Sequence, residues 1–79
     1  MELNVFDQSL KELSRRAPFK PFVVEMSSGS SIEVKHPEAL AFHEGLAVYI
    51  STGGVPMFFD HTSVTRLIGA PVSGSAEAG

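Results

Sequence analysis

The chain contains no cysteine. That excludes a disulfide framework and every zinc site built on paired cysteines. No apolar run approaches the ~20 residues that a membrane-crossing helix needs. A basic segment leading into an apolar core is also missing, and Glu2 and Asp7 stand near the N-terminus instead. A secretory signal is therefore not expected, and a reducing cytoplasm is the expected compartment. Positive charge is scarce, with 6 Lys and Arg against 9 Asp and Glu and a net charge of −3. This balance disfavours non-specific nucleic-acid binding. Gly53 and Gly54 have no lysine after them and lead into a strand pattern, so they do not make a phosphate cradle. Ser51 and Ser63 lack the strand-turn-helix context of a nucleophile elbow.

What is present is a globular composition: 43% hydrophobic residues, six Phe and one Tyr. Seventy-nine residues suffice for one small domain with a single core, in which burial is marginal. A small scaffold without disulfides gains stability most readily by oligomerising, so self-association is expected. The domain is expected to span residues 1–69. Residues 70–79, rich in small and polar side chains, read as a flexible tail without a core role.

Phe6, Leu10, Leu13 and Ala17 recur at helical spacing and predict a helix over about 5–17, capped by Asn4 with Asp7 in its first turn. Pro18 and Pro21 enforce extended backbone around Ala17 and Lys20 and end it. Phe22, Val24 and Met26 then alternate with Val23, Glu25 and Ser27, a strand followed by a turn at Ser28–Ser30. Ile32, Val34 and His36 open the return strand, with His36 expected half-buried at a bend. Pro37 interrupts it, so 31–43 is expected to be one long bent strand. Leu46–Ser51, Met57–Phe59 and Val64–Ile68 complete five strands. The expected core is Leu10, Leu13, Phe22, Val24, Ile32, Val34, Val48, Ile50 and Phe59. This order predicts a mostly β fold with one N-terminal helix, closing as a small, strongly bent, five-stranded antiparallel barrel of the SH3-like kind.

The run PFKPFVVEMSSGSSIEVKHPE, from Pro18 to Glu38, resembles the signature of a group of small bacterial proteins of unknown function, in which a PFxPF entry precedes a glycine turn and a His-Pro-Glu end. That likeness implies no activity. The order of elements is also similar to the Sm-like fold of Hfq. The segment Leu13-Ser14-Arg15-Arg16 resembles the end of the Hfq helix, and Phe59–Val64 resembles its histidine-containing turn. This second resemblance implies a ring-forming RNA binder in which Gln8, Arg15, Arg16 and His61 match positions that touch RNA. Asp60 departs from it, standing where Hfq has a lysine.

The remaining candidates are few. Lys11, Arg15, Arg16 and Lys20 gather four of the six basic residues within ten positions. They read either as cations complementing the helix C-terminus or as a rim contacting phosphate or an acidic partner. His36, His43 and His61 with Glu38, Glu44 and Asp60 are ligand types for transition metals, but no ligand spacing recurs, and neither a metal nor a cofactor is expected. Phe58 is out of phase with Met57 and Phe59, so that strand exposes an aromatic on one face. Met57, Phe58 and Phe59 thus mark an expected oligomer edge. Two functions fit: a non-catalytic interaction module that self-associates and binds a protein partner, or an Sm-like RNA-binding oligomer. No enzymatic activity is expected.

Overall fold

The computed structural model describes residues 1–69; the tail expected over 70–79 lies outside them. The fold is mostly β with one N-terminal helix. Helix α1 (Leu3–Arg15) is followed by β1 (Phe22–Met26) and β2 (Ser31–Val34). A single 3-10 turn (Pro37–Ala39) leads to β3 (Leu40–His43), β4 (Leu46–Ile50), β5 (Pro56–Asp60) and β6 (Val64–Ile68). Among the described residues six strands therefore stand where five were expected. They form two three-stranded antiparallel sheets, in the orders β2-β1-β6 and β3-β4-β5. Among the described residues these ladders do not join into a closed barrel. The segment 31–43 is not one bent strand, because Pro37 fixes its own φ and starts the 3-10 turn. One end of the segment is left in each sheet.

The helix lies two residues earlier than its apolar spacing suggested. Glu2, not Asn4, caps it: its two carboxylate oxygens accept from the amides of Asn4 and Val5, each at 3.0 Å. A glutamate side chain is long enough to reach both amides, a cap that the residue preferences do not signal. Arg16 has already left the helix with extended backbone, and Ala17 is exposed. The Ala17–Pro18 peptide is cis. Phe6 and Leu10 of α1 are fully buried, and Leu13 packs against the edge of the core.

Phe22, Val24 and Val34 are buried as expected, with Ile32 and Met26 packed beside them. His36 is exposed rather than half-buried, its imidazole 3.8 Å from the Glu38 carboxylate. The hairpin between β3 and β4 turns in two residues, Glu44 (φ 47°) and Gly45 (φ 85°). Positive φ at both central positions is the conformation that follows the natural twist of paired strands.

Strand β4 corrects the expected core. Ala47 and Tyr49 are 2% exposed, whereas Val48 is only half-buried and Ile50 is 41% exposed. On the inner face Ala47 sits between Phe42 and Phe59, its partners on the two flanking strands. A small residue there leaves room for two rings, where a leucine or isoleucine would overfill the layer. Tyr49 turns inward at no polar cost because its hydroxyl accepts from the Lys35 amide at 3.0 Å. The core is thus Phe6, Leu10, Phe22, Val24, Val34, Ala47, Tyr49, Phe59 and Val64, with Phe6 meeting Phe59 edge-on at 6.1 Å.

Thermal and urea unfolding check this phase. Leu10→Ala should cost about 2–5 kcal/mol, while Ile50→Ala should cost less than about 1 kcal/mol. Equal losses in the two variants would place Ile50 in the core.

Candidate functional site

The outward face of the β3-β4-β5 sheet is the largest chemical anomaly of the molecule. A period of two sends Ala41 and His43 of β3 outward, together with Leu46, Val48 and Ile50 of β4 and Pro56, Phe58 and Asp60 of β5. The register aligns them in rows, with His43 beside Leu46 beside Asp60, and Ala41 beside Val48 beside Phe58. Phe58 is 70% exposed and Leu46 57%. A shallow groove of about 290 Å³ runs between Ala41, Phe42, His43, Leu46, Val48 and Phe58. An antiparallel sheet ordinarily carries polar side chains on its solvated face. Here aliphatic and aromatic groups fill it, and polar groups occupy one end.

Among the described residues strand β5 is also an edge of its sheet. Ser51 donates to the Val55 carbonyl at 3.0 Å, and His61 donates to the Gly45 carbonyl at 2.8 Å. These two bonds fix the alternation along the ladder between them, so Met57 and Phe59 direct their peptide groups at β4. The peptide groups of Phe58 and the Asp60 amide then face the open edge, while the Asp60 carbonyl accepts from the Ser63 amide at 3.1 Å. Pro56 offers no N–H there. The expected oligomer edge of Met57, Phe58 and Phe59 thus divides into two inward-packed side chains and one outward ring.

The candidate nucleic-acid residues are spread out. Gln8 is exposed on α1, its amide nitrogen 3.5 Å from the Glu12 carboxylate. Arg15 ends the helix and is exposed, as is Lys20 beyond it. Arg16 borders a groove shared with Glu12, Leu13 and Arg66. His61 lies at the opposite end of the helix, where its Nδ1 is 3.0 Å from the Met1 carbonyl and its ring leans on Phe6. At 1.5 Å per residue the length of α1 puts about 20 Å between that end and Arg15. The basic cluster and His61 therefore do not converge on one small site.

His61 belongs to a knot that sequence reading missed. The Met1 amino group donates to the His61 and Val64 carbonyls at 2.8 and 2.9 Å. The Asp7 carboxylate accepts from the Gly45 amide at 2.9 Å. A Cβ on Gly45 would lie 2.6 Å from the His61 ring, so only glycine fits this contact and its φ of 85° together. Asp7 and Gly45 are 38 positions apart in the chain, and no local pattern announces such a bond.

The turn after β5 is held by Asp60. One of its carboxylate oxygens accepts from the Ser63 hydroxyl at 2.7 Å and from the Thr62 hydroxyl and Ser63 amide at 3.1 Å. The Ser63 and Thr62 hydroxyl bonds, in that order, hold the Asp60 pKa below the ordinary aspartate value. The amide bonds from Asn4 and Val5 do the same for Glu2. Among the described residues no three His, Asp or Glu side chains gather to hold a metal. No helix among them is long and apolar enough to cross a membrane.

Comparison with family models finds no match, and neither the curated proteins nor the solved structures show a significant likeness to this chain.

The lowered pKa of Asp60 gives a signed pH dependence. A group whose folded pKa is depressed contributes stability above its unfolded pKa and loses it as pH falls through the folded value. Asp60→Asn should therefore melt below the parent protein at pH 7, and the gap should narrow as the pH falls below about 4. A gap of constant size from pH 7 to pH 2, followed by circular dichroism, would remove the carboxylate from the account.

Proposed function

We propose that this chain is a non-catalytic interaction module that self-associates and engages a protein partner through the outer face of the β3-β4-β5 sheet and the neighbouring β5 edge. The observation that carries this reading is the outward row Ala41, half-buried Val48 and exposed Phe58, with exposed Leu46 and Ile50 beside it. Contiguous apolar surface of this kind marks interaction sites in soluble proteins. The edge strand β5 beside that ring offers main-chain groups that a second strand can pair with. In the same reading the two sheets are the halves of an SH3-like or Sm-like small barrel, and the module works in the cytoplasm. The absence of enzymatic activity is part of the proposal.

RNA binding is the competing outcome. Arg15, Arg16 and Lys20 at the helix end support it, and the net charge of −3 opposes it.

Light scattering across a concentration series, paired with titration of labelled single-stranded RNA at two salt concentrations, tests the choice. The parent chain should show a mass above 8.5 kDa that rises with concentration. Phe58→Lys should reduce it to the monomer with an unchanged circular dichroism spectrum, because the ring is 70% exposed. Tight RNA binding that disappears on joint Arg15→Gln and Arg16→Gln replacement would move the function to the helix end. Joint loss of those two phosphate contacts would also lower the salt slope by about 2.

A further inference from the structure

We infer that the occupant of the apolar sheet face is the same face of a second copy, related by a two-fold axis that lies between the copies and runs parallel to β4. This inference rests on the self-association proposed above and names its geometry. A two-fold contact requires a patch complementary to itself, and the register of this sheet supplies such a patch.

With the axis along β4, the central strand of one copy lies over the central strand of the other, while β3 of each copy lies over β5 of its partner. The middle row then sets the large Phe58 ring of one copy on the small Ala41 of the other, twice, with Val48 over Val48 between them. In the end row, His43 of each copy faces Asp60 of the other, with Leu46 over Leu46 between the two pairs. A ring packs onto an alanine, and an imidazole donor meets a carboxylate acceptor. Within its own copy His43 is already 3.2 Å from the Glu44 carboxylate in the turn, so the cross-copy pair orients the contact more than it strengthens it.

The other two-fold arrangement, with the axis perpendicular to the strands and passing by Val48, fails on the same rows. It would stack Phe58 on Phe58 at one edge and Ala41 on Ala41 at the other, a crowded side and an empty one. Interfaces pack to the density of protein interiors, and neither fault is tolerated at low cost.

The area sets the strength. Three strands about 4.8 Å apart and five residues of about 3.3 Å each cover roughly 14 by 17 Å in plan. Even allowing for side-chain relief, this falls short of the roughly 800 Å² per partner of a standard stable interface. The pair is therefore a weak dimer that forms and dissociates with concentration.

The absence of cysteine makes the test direct. Leu46→Cys and Ile50→Cys are made singly, with Thr65→Cys on the other sheet as a control. Each is treated with a short bis-maleimide suited to the ~10 Å between packed sheets. Circular dichroism confirms folding, and light scattering reports mass on the same samples. Leu46→Cys and Ile50→Cys should each link to itself at concentrations where dimers are present, and Thr65→Cys should not. If dimers form but Leu46→Cys links only to Ile50→Cys in a mixture, or to neither, the axis proposed here is wrong and self-association stands. If both the parent chain and the variants stay monomeric at every concentration, self-association and this geometry fall together.

Discussion

The two-residue turn at Glu44 and Gly45 sets the register on which the second sheet depends. Strand β4 is apolar on both sides, Ala47 and Tyr49 on one and Leu46, Val48 and Ile50 on the other. Its side chains alone do not decide which set enters the core. A slip of one residue would exchange the two sets completely. The turn prevents that slip because both of its residues take positive φ, a geometry available to a two-residue connection and few others. Glu44 adopts it at a steric cost that a glycine would avoid.

That turn is itself pinned to the rest of the fold. The Gly45 amide is held by Asp7 from the helix, and its carbonyl by the His61 amide after β5. The Met1 backbone joins the knot through its bonds to His61 and Val64. Helix start, β3-β4 hairpin and β5-β6 turn therefore meet at one point. From there α1 sets Phe6 edge-on against Phe59 of the β3-β4-β5 sheet and Leu10 in the common core. The outward set of β4 is left facing water as a consequence of how the inner face packs.

Much of this was legible in the sequence. The alternation of Phe22, Val24 and Met26 placed β1 in the correct phase, and the helical spacing of Phe6 and Leu10 found the buried face of α1. The turn cluster at Asp60–Ser63 and the outward ring of Phe58 were also readable from local pattern. The phase of β4 was not, since leucine, valine and isoleucine outrank alanine and tyrosine on any scale of apolarity. What reversed the order was the fit of Ala47 between two phenylalanines and a partner for the Tyr49 hydroxyl. Both are long-range facts. The Glu2 cap escaped notice because glutamate is a weak residue preference for that position, and the bent strand became two because Pro37 opens a 3-10 turn. The candidate surface was half visible for the same reason: β5 showed its exposed ring, while β4 concealed its outward leucine, valine and isoleucine as an expected core.

The central claim is that the outward set of β4 is contact surface and the inward set is core. Methyl and amide chemical shifts, followed by NMR while the protein is diluted, test it most directly. The account predicts that Leu46, Val48 and Ile50, with the ring of Phe58, move with concentration while Leu10, Val24, Val34 and Val64 stay fixed. Shifts that are independent of concentration at the β4 methyls, or that move only around Arg15, Arg16 and Lys20, would contradict it.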